Sequence, residues 1–302
     1  MSRQILLLIL FVIIASALLF VPLPIPPTYA GRTIENAGHM PLFFLGTMFV
    51  ISILQRNPQL DVARMYALAG FIGAGAGFLS EVIQKPLQRD ASWEDVFADA
   101  VGALCALALH AAFTQRIQLR RPLRFAALIV GLACVTIYVA PIFNMGRAYI
   151  YRNAQFPVLA SFQSDTELFW IVGYGVRREI RDRALDVVFE ASEFPGVSFH
   201  EPVRDWRRFK TLAIDVENPA TEPLKLTVRV HDRGHGRYYT DRFNRSFTFA
   251  AGERRMLRIP LEDVRQAPRN RLMNMAQISD VTVFRSRTEG SRQMRLHGMR
   301  LE

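Results

Sequence analysis

Five apolar runs crowd into the first part of the chain, at positions 5–21, 38–54, 65–83, 95–113 and 125–142, and nothing comparable follows. Each is long enough to cross a bilayer as a helix. In lipid the backbone must satisfy its own hydrogen bonds, so a run of this kind is read as a helix and not as an open strand. A membrane bundle of five transmembrane helices is therefore expected. The first run follows Arg3 and carries no charge. A signal peptide would look similar, but four further spans favour a retained helix. Pro22, Pro24, Pro26 and Pro27 end that run in a stiff extended exit.

After residue 145 the pattern changes to short period-two segments. Strands are expected at 184–189, 211–216, 224–231, 245–249, 254–259, 278–285 and 294–301. Leu224, Leu226, Val228 and Val230 alternate with polar neighbours, as one buried sheet face requires. Asn218-Pro219 and Ala251-Gly252 mark turns. Regularly spaced short strands point to an all-β sandwich or jelly roll. The expected domains are thus a bundle over 1–144, a linker over 145–160 and a β-sandwich over 161–302. Both cysteines, Cys105 and Cys134, lie in apolar runs, so the sandwich has no disulfide framework.

The charge is uneven. The chain carries a net charge of +10, and positions 145–302 hold 27 of its 37 Lys and Arg against 20 of its 27 Asp and Glu. A basic surface beside a membrane favours anionic partners such as lipid head groups or acidic glycans. Orientation follows from the loops. Arg3, Arg56, Arg64, Arg116, Arg120, Arg121 and Arg124 fall on one side of a five-span bundle, and Arg32, Lys85 and Arg89 on the other. The bias toward cytoplasmic arginine puts the N-terminus in the cytoplasm and the sandwich outside. An exported basic domain does not meet nucleic acid, so no nucleic-acid partner is expected.

Acidic groups stand inside the hydrophobic boundaries, where they are costly and need a reason. Glu35 and His39 are four apart at the start of the second span. Glu81 and Gln84 are three apart at the end of the third, and Asp95 and Asp99 four apart at the start of the fourth. Those spacings put each pair on one helix face, with Arg89 in the connecting loop. Together Glu35, His39, Glu81, Gln84, Arg89, Asp95 and Asp99 form an expected polar cluster near the outer leaflet. Three readings stay open: a polar network gluing helices together, recognition of a lipid-linked or glycan head group, and catalysis. For catalysis Glu81 is the acid or base, assisted by His39, Asp95 and Asp99. The carboxylates and His39 could hold a divalent cation, but the spacing lacks a distinctive ligand motif and no metal is assigned.

The run of Glu35-Asn36-x-x-His39, Glu81-x-x-Gln84 and Arg89-x-x-Ser92-x-x-Asp95-x-x-x-Asp99-x-x-Gly102 resembles the VanZ-like membrane family over about residues 1–115. That family typically has Asp-Lys where Glu35-Asn36 stand, and Asn where Asp99 stands. The resemblance implies a small polytopic protein of the bacterial cell envelope, named after a member linked to glycopeptide-antibiotic tolerance. It supplies no reaction.

The β-rich part has its own dense segment at 231–249, with Asp232, His235, Arg237, Tyr238, Tyr239, Asp241 and Arg242. Aromatic rings stack on sugar faces while Arg and Asp hydrogen-bond hydroxyls, so Arg237, Tyr238, Tyr239, Asp241 and Arg242 are the glycan-binding candidates. Trp206, Phe243, Phe247 and Phe249 are expected in the core. Asp205-Trp206, Val216-Glu217-Asn218 and the Asp232…Asp241-Arg242-Phe243 loop give residues 160–302 a resemblance to the galactose-binding-like sandwich of carbohydrate-binding modules. Related modules are often braced by a calcium ion. No acidic cluster here is dense enough to place one, so no cofactor is assigned. His200 and His297 are expected as satisfied or solvated histidines, and Arg177, Arg178, Arg181 and Arg183 as a solvated charge run.

The expected function is non-catalytic binding of an envelope glycan or lipid-linked saccharide by a multi-pass protein of the cytoplasmic membrane. The alternatives are a membrane enzyme acting on a lipid-linked sugar or phosphate, and a scaffold in an envelope-assembly complex.

Overall fold

The computed structural model describes residues 10, 28–84, 93–115, 119–203, 205–236, 238–285 and 292–302. The chain divides into two compact units, Met1–Met145 and Gly146–Glu302.

Apart from Leu10, the expected span at 5–21 lies outside the described residues. Among the described residues, 4 helical stretches are long and apolar enough to cross a membrane. The first joins α1 (Tyr29–Ala37) to α2 (His39–Leu54). Thr28 caps α1 by accepting a 2.9 Å bond from the Gly31 amide. Gly38 keeps helical angles, φ −69° and ψ −29°. Pro41 has no N–H to offer Ala37, which interrupts the ladder there. Helix α3 (Val62–Gln84) starts on Asp61, whose Oδ1 accepts the Arg64 amide at 2.8 Å. Helix α4 (Trp93–Phe113) opens with Glu94 and Asp95, the favoured sign at an N-terminus.

Helix α5 (Arg121–Gln155) corrects two expectations. It carries Pro141 and runs past the expected end of the fifth span at 142, and the segment expected as a linker from 145 is its C-terminal part followed by strand β1 (Val158–Ala160). One proline removes one hydrogen bond, and helices in lipid tolerate that loss when their neighbours supply the remainder.

Helices α2 and α4 pack most extensively. Met40, Val101, Cys105 and Cys134 form one buried cluster; Ile51, Met65 and Ala69 form another. Large apolar side chains face outward, including Phe71 at 78% exposure. A helix apolar on both its packed and its open faces has the composition of a membrane span.

The second unit contains two antiparallel sheets. The first has the order β3–β4–β11–β6–β9, with β1 added beside β11. These strands are β3 (Val176–Arg181), β4 (Ala184–Phe189), β6 (Thr211–Glu217), β9 (Arg254–Pro260) and β11 (Gln293–Leu301). The second has the order β2–β5–β10–β7–β8. These are β2 (Ile171–Tyr174), β5 (Gly196–His200), β7 (Leu224–Asp232), β8 (Phe243–Phe249) and β10 (Ile278–Phe284). One short helix, α6 (Leu261–Gln266), follows β9.

The inner faces meet in a single apolar core that joins Leu212, Ile214, Val216 and Leu296 of the first sheet to Phe199, Val228, Val281 and Val283 of the second. This is a sandwich. Trp206, Phe243 and Phe249 are buried in it, and Phe247 packs partly buried against it, as expected. The Trp206 indole N–H donates to the Val203 carbonyl at 2.7 Å. Asn218, also buried, staples its turn by donating to the carbonyls of Glu222 and Ala250.

Every strand expected from the sequence is present within two residues at either end. Strands β1, β2, β3 and β5 were not expected. The arginine run is β3: Arg177, Glu179 and Arg181 face out, while Arg178 sits half-buried between Val176 and Ile180 on the inward face. Only Arg183 belongs to a turn, and it takes a positive φ of 58° beside Asp182 at 52°.

Candidate functional site

Both units gather polar side chains. In the first, α2, α3 and α4 bring His39, Glu81 and Asp99 together. One ligand-competent atom from each lies within 4.8 Å of the others. His39 Nδ1 stands 3.0 Å from Asp99 Oδ1. Asp99 is fully buried, Glu81 and Asp95 nearly so. Asp95 and Glu81 are close enough to act on the charge of His39.

Two glycines of α3 make the approach. A Cβ at Gly77 would sit 2.6 Å from the Asp99 Cβ, and one at Gly73 would sit 2.5 Å from Thr47 Oγ1 and 3.0 Å from the Ala103 Cβ. Small residues at these points let α3 close onto α2 and α4. Of the expected cluster, His39, Glu81 and Asp99 are brought together. Glu35 lies half-buried in the last turn of α1, and Gln84 is the last residue of α3. Arg89 lies outside the described residues.

In the second unit the loop after β7 behaves differently from expectation. Arg271 makes a two-pronged pair with Asp232, at 2.6 and 2.7 Å, and donates its Nε to Asp241 at 2.6 Å. The Asn274 amide also donates to Asp232, and the Gly236 amide to Asp241. Burial pushes the Asp232 carboxyl up, but Arg271 and the Asn274 amide outweigh it and hold the group below the usual range. Arg271 and the Gly236 amide likewise hold Asp241 low. Asp241, expected to meet glycan, is therefore committed to a clasp that fixes the loop.

The clasp leaves Tyr238 and Tyr239 outside, 77% and 67% exposed. The Arg242 guanidinium lies 5.2 Å from the Tyr239 ring centre. Arg237 lies outside the described residues.

Tyr239 and Arg242 adjoin a larger array on the outer face of the second sheet. Pairing sets Ser198 opposite Thr282, Thr282 opposite Arg229, and Arg229 opposite Asn244. Asp280 stands at its centre, almost buried, accepting from Ser198 and Thr282 at 2.6 Å each. His200 Nδ1 lies 3.4 Å from the other Asp280 oxygen, and its Nε2 lies 3.0 Å from the Tyr174 hydroxyl. Arg229 donates to Asn244 at 3.1 Å and lies over the Phe284 ring. Burial and the nearby Arg242 both pull the Arg229 group below its ordinary value, against the opposing influence of Asp280 and Tyr239. Burial likewise pulls His231 down.

Among the described residues neither Arg229 nor Arg242 forms an ion pair, although most other arginines of this unit do. Sequence reasoning missed Tyr174, Ser198, His200, Arg229, Asp280 and Thr282 as a group. They come from four strands far apart in the chain, and only their polar alternation within β5, β7 and β10 hints that they share a face. His297, by contrast, is satisfied by Glu217 at 2.6 Å.

No family model and no curated protein matches the chain. Among solved structures it is similar to the family 11 carbohydrate-binding module from Clostridium thermocellum in complex with a beta-1,3-1,4-mixed-linked tetrasaccharide, at 12% identity over 48% of this chain and 93% of that one, with a TM-score of 0.37. It is also similar to an exo-beta-agarase, at 13% identity over 48% of this chain and 23% of that one, TM-score 0.39. A mutant of a family 29 carbohydrate-binding module aligns at 11% identity over 47% of this chain and 86% of that one, TM-score 0.31. The chain spans about a quarter of the length of the agarases it matches. At such identities and scores the ligand has to be read from this chain's own side chains.

Proposed function

We propose that the protein is a membrane-anchored glycan-binding protein whose sandwich takes an acidic envelope saccharide on the outer face of its second sheet. The observation that carries this is the pair Arg229 and Arg242. Among the described residues neither guanidinium forms an ion pair, although Asp280 acts on Arg229, and the two are flanked by the exposed Tyr239 and the hydrogen-bonding array around Asp280. Arginine forks match carboxylate and phosphate geometry. A tyrosine face supplies a stacking platform, and fixed hydroxyl and carboxylate groups read neighbouring sugar hydroxyls.

The helical unit anchors this domain. The arginine asymmetry of the loops supports a cytoplasmic N-terminus and a sandwich outside the cytoplasmic membrane of a bacterial cell. The order in which the chain alternates between sheets supports a jelly roll of galactose-binding type. Binding at the leaflet and binding in the sandwich would reinforce one another by effective concentration.

The test is a polysaccharide array probed with the full chain in detergent. Retention on uronate- or phosphate-bearing glycans is expected, weakened about tenfold by Tyr239→Ala through loss of the stacking and cation–π contacts, and abolished by Arg229→Ala with Arg242→Ala. A folded protein that retains no glycan, or whose binding ignores these three side chains, would overturn the proposal. The three-helix cluster of His39, Glu81 and Asp99 favours a second reading, a membrane enzyme on a lipid-linked sugar or phosphate. In it Glu81 would handle the proton.

A further inference from the structure

A polar cluster that only glues helices together satisfies its buried atoms internally. Among the described residues, the cluster of the first unit leaves Asp99 Oδ2 without a donor. Asp99 is 0% exposed, and its Oδ1 meets His39 Nδ1 at 3.0 Å. Its Oδ2 is buried and has no hydrogen-bond partner among the described residues. That oxygen lies 2.9 Å from where a Cβ of residue 77 would stand, so the glycine there keeps the space beside it open. An acceptor stripped of water and given no donor costs free energy, and a cation is the other partner it can take.

The surrounding donors fit a cation of one kind. His39, Glu81 and Asp99 come from three different helices and offer one nitrogen and two carboxylate oxygens within 4.8 Å of one another. Calcium and magnesium take oxygen shells. A mixed set with an imidazole suits a first-row divalent ion, and zinc is held by such N/O sets at about 2.0–2.2 Å. We propose that His39, Glu81 and Asp99 form a divalent metal site matched to zinc, with three protein ligands and a fourth position open. Asp95, one turn before Asp99 and almost buried, acts electrostatically on both His39 and Asp99 and is the carboxylate beside the ligand shell. The site is independent of the glycan-binding face, since it lies wholly in the other unit.

Cobalt(II) reports on such a site directly. Full-length protein in detergent is stripped with chelator and titrated with Co2+, then with Zn2+. The expected result is a stoichiometric ligand-field band that Zn2+ displaces, with electron spin-echo modulation from one imidazole nitrogen. Asp99→Asn and His39→Ala are each expected to weaken Zn2+ binding by about tenfold or more, at least what loss of an outer-shell partner costs. Glu94→Gln, an exposed carboxyl on the same helix, is expected to leave it unchanged. Substoichiometric Co2+ in the folded wild-type protein, absence of the imidazole signal, or affinity indifferent to both ligand substitutions would overturn the site. The wild-type spectrum decides the matter even where a variant fails to fold.

Discussion

Arg183 holds φ at 58° in the turn between β3 and β4, next to Asp182 at 52°. Two successive positive values make the mirror-image turn whose twist suits a hairpin, and the second position favours glycine. An L side chain there costs about 1 kcal/mol or slightly more. Arg183→Gly is therefore expected to raise stability by about 1 kcal/mol, read from urea unfolding. An unchanged or lower midpoint would mean that the arginine makes a compensating contact.

The Arg271 clasp acts in the opposite direction. Arg271→Ala leaves the buried Asp232 without its cation, at an expected loss of about 3 kcal/mol. Its pH dependence has a definite sign. Asp232 and Asp241 are held below their unfolded values, near 3.9. They therefore add stability that is complete above about pH 4 and is lost as pH falls through the lower folded values. Acid unfolding should be steeper in the wild type than in Arg271→Ala. At this scale the sequence marks His39, Glu81, Asp95 and Asp99, because each is an ionisable side chain inside an apolar run. It conceals Asp280, His200 and Arg229, because a sheet face is assembled from strands about 80 residues apart.

Among the elements, α3 offers the sharpest internal contrast. A Cβ at Gly73 would press on Thr47 and Ala103, whereas one at Gly75 would meet nothing within 4 Å. Gly73→Ala is expected to lower bundle stability by about 1–3 kcal/mol through overpacking. Gly75→Ala is expected to raise it by about 0.5–1 kcal/mol, the backbone cost of a helical glycine. Denaturation in detergent, followed by helix signal, reads both. Equal effects would mean that α3 does not present this face to α2 and α4. The glycine run was visible in the sequence, but which glycines meet a neighbour depends on helix rotation. Helix α5 was misread for a related reason. Proline marks a boundary strongly in water, yet Pro141 removes only one bond from a ladder of 35 residues. Strand β3 was hidden by composition, since Arg177, Arg178 and Arg181 look like a solvated run until Val176 and Ile180 are seen to alternate with them. The long strands with apolar alternation, β7 above all, were legible because burial on one face enforces a period of two.

For the whole molecule, the proposal stands or falls on topology. A glycan-binding face is useful only on the side where glycan is found, and the outward orientation depends on the excess of arginine at the opposite loops. A fifth span at 5–21 places the N-terminus in the cytoplasm, whereas removal of that segment leaves the order of the later helices unchanged. In both cases the proposed orientation has α5 lead to the outside. A C-terminal alkaline phosphatase fusion should therefore be active, and a fluorescent-protein fusion exported by the same route should be dark. A single cysteine at Ser246, on the exposed edge strand β8, in a chain with Cys105 and Cys134 replaced by Ala, should react with a membrane-impermeant maleimide in spheroplasts. Labelling only after lysis would place the sandwich in the cytoplasm. The basic face of Arg229 and Arg242 would then meet nucleotides and nucleic acid, and the saccharide reading would fail however well the purified protein bound acidic sugars.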